Sequence, residues 1–75
     1  MGESLKDLKN IREILVIALG RERQALQFYL DAAESTRDET RKKEFLKLAD
    51  WEGEHVRYVL KLLSEVERKI ERAEK

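Results

Sequence analysis

The stretch ESTRDET, residues 34–40, divides the chain into two long runs that share a helical pattern of apolar residues. Its side chains are mostly small or polar, and it offers two candidate helix N-caps: Thr36, which has Glu39 three residues later, and Asp38. Because the chain contains no proline, its helices must begin and end at caps and glycines. The stretch therefore predicts a turn at about residues 35–38 between two helices.

The run before the turn predicts a first helix over about residues 4–34. It opens with SLKD, residues 4–7, which has the Ser-x-x-acid form of a capping box. The apolar pattern continues past Gly20, so we expect one unbroken helix. The residues that recur at steps of three and four, and so mark one helical face, are Leu8, Ile11, Leu15, Ala18, Ala25, Tyr29 and Ala32.

The run after the turn predicts a second helix over about residues 39–72, whose seam is Phe45, Leu48, Val59, Leu62, Val66 and Ile70. Each helix also carries a second apolar row beside its seam, and a single antiparallel pair cannot cover both rows. Two copies of the hairpin would supply the four helices that can. The sequence therefore predicts an all-α fold, in which residues 1–75 form one helical-hairpin domain that dimerises into a four-helix bundle.

Composition argues against several partners and favours self-association or a metal. The chain has 75 residues and no cysteine, and a core of this size is marginal without a metal or a partner. Its 16 basic and 16 acidic side chains balance, which argues against nucleic acid. The longest apolar run, Ile14 to Leu19, is far shorter than the roughly 20 residues that span a bilayer, and we expect no signal peptide. We therefore expect no membrane partner and a cytoplasmic location.

Three polar residues occupy positions in the two apolar seams: Glu22 in the first helix, and Glu52 and His55 in the second. At about 1.5 Å rise per residue, both glutamates lie roughly 22–23 Å from the turn, so they meet across the hairpin. His55 lies about one turn farther along. We expect all three to face the core, where an unpaired carboxylate costs on the order of several kcal/mol. A divalent cation would neutralise them.

Two copies of the hairpin would bring together four glutamates and two histidines. A Glu from each of two helices and a Glu-x-x-His from each of the other two is the ligand set of di-iron and di-manganese carboxylate bundles. Carboxylate oxygens with imidazole suit iron, manganese or zinc. Two alternatives stay open. One is a metal-free oligomerisation module with a buried Glu/His polar layer, and the other is a zinc site with only a structural role.

Two aromatic residues close to this cluster, Tyr29 and Trp51, are candidates for a redox role or for lining a channel. Tyr29 stands two turns from Glu22, and Trp51 directly precedes Glu52. Such aromatics are more often packing or interface residues. Gly53 costs about 1 kcal/mol relative to alanine inside a helix, which predicts that another backbone or a ligand comes close there.

Two segments, RERQALQFYLDAAE at residues 21–34 and FLKLADWEGEH at residues 45–55, resemble the rubrerythrin and ferritin-like di-iron carboxylate group. The first helix of that group carries a metal-binding Glu six residues before an aromatic pair, as Glu22 stands before Phe28 and Tyr29. The second helix carries L-A-x-x-E-x-E-H, matched here by Leu48, Ala49, Glu52, Glu54 and His55. The likeness covers about residues 14–66.

The resemblance implies a ferritin-like bundle with two iron ions per dimer, bound by Glu22, Glu52 and His55 and reacting with dioxygen or peroxide. Glu54, as a member of the matched motif, would support these ligands or line a channel. The short two-helix length is similar to the encapsulated ferritins, which build a ferroxidase centre between two subunits. Since the chain has no cysteine, no rubredoxin domain is expected. Iron oxidation, or oxygen scavenging with an external electron donor, is then favoured over peroxide reduction.

Overall fold

The chain folds into two long helices in the computed structural model, which describes residues 3–75. Helix α1 spans Leu5–Ser35 and helix α2 spans Glu39–Glu74, and three residues connect them. The hairpin is a rod with a long dimension of 55 Å. Since no strand occurs in the described residues, the predicted all-α class is confirmed. The predicted domain started at residue 1, and residues 1 and 2 lie outside the described range.

Side-chain caps set the start of both helices. The Ser4 hydroxyl accepts a hydrogen bond from the Asp7 amide at 3.1 Å, as expected for a capping residue. In the turn, the Asp38 carboxylate accepts from the amides of Thr40 and Arg41 at 2.9 and 3.2 Å. Asp38 is therefore the N-cap of α2. Thr36, the other candidate, is the C-cap of α1, and its backbone amide donates to the carbonyl of Ala32.

Ion pairs near the open end of the rod show that the helices run antiparallel. Each pair joins the first part of the chain to the last part: Lys9 Nζ to Glu74 Oε2 at 3.4 Å, Lys69 Nζ to Glu3 Oε1 at 3.2 Å, and Arg12 Nη1 to Glu67 Oε2 at 3.8 Å. All six side chains are exposed, so each pair contributes little to stability. The helices are held together mainly by the apolar seam.

The seam buries little. Among residues 3–75 only Leu8, Ala33, Ala49 and Ile70 are buried, and helix α1 is continuous through Gly20. No helix in this part of the chain is long and apolar enough to cross a membrane. Two helices alone therefore leave most of the apolar surface uncovered.

The exposed large apolar residues fall on two opposite sides of the hairpin. Leu26 and Leu30 of α1 line one groove together with Ala49 and Gly53 of α2, so these four mark one side. A step of two residues turns a helix by roughly 160°, so a residue two positions from one of these four lies on the opposite side of the hairpin. We call the first side the aliphatic face, and its exposed members are Val16, Leu30, Leu46 and Leu60. We call the second the aromatic face, and its exposed members are Ile14, Ile17, Phe28, Trp51 and Tyr58.

Candidate metal centre

Glu22 of α1 comes together with Glu52 and His55 of α2 near the middle of the rod. One ligand atom from each residue can be chosen so that all three lie within 4.8 Å of one another. His55 Nδ1 lies 3.3 Å from Glu22 Oε2 and 3.5 Å from Glu52 Oε2. The antiparallel register produces this meeting, because Glu22 precedes the turn by about as many residues as Glu52 follows it. We call these three residues the triad.

The triad lies at the edge of the seam and not deep within it. The side chains of Glu52 and Glu22 are 20% and 30% exposed, whereas that of His55 is 59% exposed. A step of three residues from Glu52 rotates His55 by roughly 60° around α2, toward the aromatic face. His55 was expected to face the core, and in the hairpin it opens toward solvent instead. The triad is therefore accessible from the aromatic face.

The pKa values of Glu22 and Glu52 are shifted in opposite directions. A side-chain hydrogen bond with Glu22 is the main cause that raises the pKa of Glu52, and partial burial and the charge of Glu22 raise it further. The same hydrogen bond lowers the pKa of Glu22, as does the proximity of His55, while burial opposes this shift. Glu52 is therefore the carboxyl of the pair that binds a proton more tightly, and Glu22 is the one that releases it more easily.

The donor set fits a hard divalent cation. The two carboxylates present oxygen atoms within 4.8 Å of each other, and a cation between them can replace a bound proton. The imidazole beside them adds a nitrogen ligand, and the combination suits iron, manganese or zinc. A single triad provides only three ligating residues, fewer than a dinuclear carboxylate site uses.

No hydrogen bond or ion pair described for residues 3–75 joins the other three predicted site residues to the triad. Tyr29 is half-buried, and its ring meets Phe28 edge-on with centroids 5.5 Å apart. Trp51 is exposed on the aromatic face, and the Lys47 ammonium lies 5.6 Å from its ring centroid. Glu54 lines the groove of the aliphatic face, on the other side of α2. Their roles at the site remain predictions.

One feature beside the site was missed at the sequence level. A cleft of about 380 Å³ runs along α1 next to Glu22, lined by Ile14, Ile17, Ala18 and Arg21. It lies on the aromatic face, on the side toward which His55 opens. Arg21 directly precedes Glu22 in the sequence, and the spacing from Ile14 to Ile17 to Arg21 is a three-four signal that could have revealed the cleft.

Comparison with known proteins identifies the family. The rubrerythrin family model matches residues 9–75, which is nearly the whole chain. Searches of curated proteins and of solved structures gave no match. The match covers α2, all but the first four residues of α1, and all three residues of the triad. The chain therefore belongs to the rubrerythrin family, whose members are typically di-iron carboxylate proteins.

Proposed function

We propose that two hairpins join over their aromatic faces and bind two iron ions between their triads. In this proposal the protein is an oxidoreductase that oxidises Fe(II) with dioxygen or peroxide. The observation that carries the proposal is the convergence of Glu22, Glu52 and His55, in a rubrerythrin-family chain, at a position open to one face.

The geometry favours a shared site over a site within one chain. One triad offers two carboxylates and one imidazole, whereas two triads offer the four carboxylates and two imidazoles of a dinuclear bundle site. The aromatic face also needs a cover, because five large apolar residues stand exposed around the triad. A second hairpin would supply the missing ligands and bury this surface at once.

The chain's own residues would have distinct tasks. Glu22 and Glu52 would bind as deprotonated carboxylates and neutralise the cations, and His55 would bind as neutral imidazole. Iron bound in this way supplies the redox chemistry, since Fe(II) can give electrons to dioxygen or peroxide. The cleft at Ile14, Ile17 and Arg21 adjoins Glu22 on the aromatic face, so the second hairpin would cover it together with the triad. Because the chain has no cysteine, electrons would come from Fe(II) itself or from a separate donor.

Anaerobic Fe(II) titration tests the proposal. We expect uptake of about two irons per dimer, followed by oxygen consumption when air is admitted. Glu52→Ala should abolish both, because it removes one carboxylate from each triad. Glu65→Ala is the matched control, since Glu65 is an exposed glutamate of the same helix nearly three turns beyond His55. The proposal fails if the wild-type protein takes up no iron, or if both variants lose it equally.

A metal-free polar layer is the second candidate, and one observation favours it. His55 Nδ1 lies 3.3 Å from Glu22 Oε2, within hydrogen-bond range, which already satisfies part of the triad without a cation. In that case added Fe(II) should leave the melting temperature unchanged. A structural zinc site would give the opposite pattern, with raised melting on Zn²⁺ addition and no oxygen consumption, because zinc is redox-silent.

A further inference from the structure

A row of residues runs along α2 on the side of the helix that faces away from the triad, and we call it the stripe. Its members are spaced four, three, four and three residues apart, which aligns them along one line of a helix: Leu46, Asp50, Gly53, Arg57 and Leu60. Four of the five, all except Leu60, line the groove of the aliphatic face, which has a volume of about 740 Å³. None of these residues contributes to the proposed metal site.

Gly53 has no packing role within its own chain. A Cβ atom placed on it would meet only the Arg57 guanidinium, at an ordinary contact distance of 3.7 Å. Glycine is a poor helix former, so alanine would suit an isolated hairpin better. A glycine in the middle of an exposed stripe indicates instead that a second backbone approaches there.

The stripe is nearly symmetric about Gly53. Leu46 and Leu60 stand seven residues on either side, about 10.5 Å along the axis, and they are 44% and 40% exposed. Asp50 precedes the glycine by three residues and Arg57 follows it by four. A two-fold axis perpendicular to α2 at Gly53 reverses chain direction, so it would place Leu46 against Leu60 and Asp50 within one residue of Arg57.

Helix α1 adds one exposed apolar residue on each side of the Gly53 level. In the register that brings Glu22 to Glu52, Leu30 lies opposite Glu44, so it is within about 3 Å of Leu46 along the axis, and both line the groove. By the same count Val16 lies opposite Tyr58, within about 3 Å of Leu60 along the axis. The four exposed residues of the aliphatic face therefore form two pairs, one on each side of the Gly53 level.

We infer that the aliphatic face binds a second copy of this chain, with two α2 helices crossing antiparallel at Gly53 on a two-fold axis. Charge supports the antiparallel direction, because a parallel pair would oppose Asp50 to Asp50 and Arg57 to Arg57. Within residues 3–75 neither residue forms an ion pair, so both are available to a partner. The leucines on either side would supply the apolar contact.

This contact does not rest on the proposed function. It uses no ligand of the triad, and it lies on the opposite side of the hairpin from the aromatic face. A chain with two different self-complementary faces can bind one copy over each face. A closed assembly in which the two contacts alternate contains an even number of chains. The contact at Gly53 should therefore persist when metal is removed.

Site-specific cross-linking tests the axis, and the absence of native cysteine keeps the experiment clean. Leu46→Cys and Leu60→Cys chains, one of them labelled with ¹⁵N, are mixed in chelator and treated with a short bismaleimide. Mass spectrometry should find mainly the Leu46–Leu60 heterodimer, with little self-linking of either variant. A Gly20→Cys chain, exposed on α1, is the control and should not cross-link. Self-linking that equals hetero-linking, or equal linking at Gly20, overturns the inference.

A second measurement tests the close approach. Gly53→Gln adds bulk at the axis and should raise the dissociation constant of metal-free self-association about tenfold or more, measured by analytical ultracentrifugation. Gly20→Gln is the matched control and should leave association unchanged, since nothing lies within 4 Å of a Cβ there. Equal effects of the two substitutions would contradict a contact at Gly53. If this contact holds while iron uptake fails, the metal proposal alone is wrong.

Discussion

Glu52 carries an electrostatic cost in the metal-free hairpin, because its partner Glu22 is a carboxylate at close range. The raised pKa of Glu52 means that the fold favours its protonated form. Its contribution to stability is therefore present below the pKa of the unfolded chain and is lost as pH rises through the folded value. The pKa of Glu22 is lowered, so its pH dependence is reversed. Its contribution to stability is present above the pKa of the unfolded chain and is lost as pH falls through the folded value.

Glu52→Gln should therefore stabilise the protein at neutral pH in chelator. The amide can donate to Glu22 without a titrating proton, which should raise the free energy of unfolding by about 1 kcal/mol. The gain should shrink as pH falls, because wild-type Glu52 then carries its own proton. Thermal melts across a pH series measure this, with Glu65→Gln as control. A gain that is absent at neutral pH, or that persists unchanged in acid, would contradict the raised pKa of Glu52.

At the level of the helices, the turn depends on one carboxylate. Asp38 accepts from two amides at the start of α2 that would otherwise lack partners. Asp38→Ala should lower the free energy of unfolding by about 1 kcal/mol and the melting temperature by about 4–8 °C. Arg37→Ala, at the exposed neighbouring position, should change neither by a comparable amount. Equal melting of the two variants would show that the cap contributes little.

Much of the hairpin could be predicted from sequence, because its signals are local. The caps at Ser4 and Asp38 and the three-four spacing of apolar residues depend only on neighbours along the chain. The meeting of Glu22 with Glu52 needed one further assumption, a tight turn, which fixes the register of two straight helices. Exposure could not be predicted in this way. Periodicity gives the direction in which His55 points around the axis of α2, but it does not say whether a neighbouring helix covers that side.

The split into two faces was also hidden from the sequence alone. Each helix showed one apolar row beside its seam, and only the packed pair shows which flank of α1 shares a side with which flank of α2. Leu26 and Gly53 share a groove, whereas Trp51 lies on the other side. This arrangement also places Glu54 away from the triad, although it directly precedes His55.

For the whole molecule, stability should depend on association. Only four of residues 3–75 are buried, so the isolated hairpin lacks a substantial core. A hundredfold rise in chain concentration should stabilise a folded dimer by about 2.7 kcal/mol per mole of dimer, which raises the melting temperature. Calorimetry over that concentration range, in chelator, is the measurement. A melting temperature independent of concentration would show that a monomer folds alone.

The fluorescence of Trp51 distinguishes association over the aromatic face from association over the aliphatic face. It is the chain's one tryptophan, it adjoins Glu52, and its indole is exposed on the aromatic face. Indole emission moves to shorter wavelength when water is excluded and is quenched by a nearby paramagnetic ion. Fluorescence of the unmodified protein therefore follows the covering of the triad, whereas the crossing at Gly53 leaves the indole in water. The wavelength of tryptophan emission thus shows which of the two faces has associated.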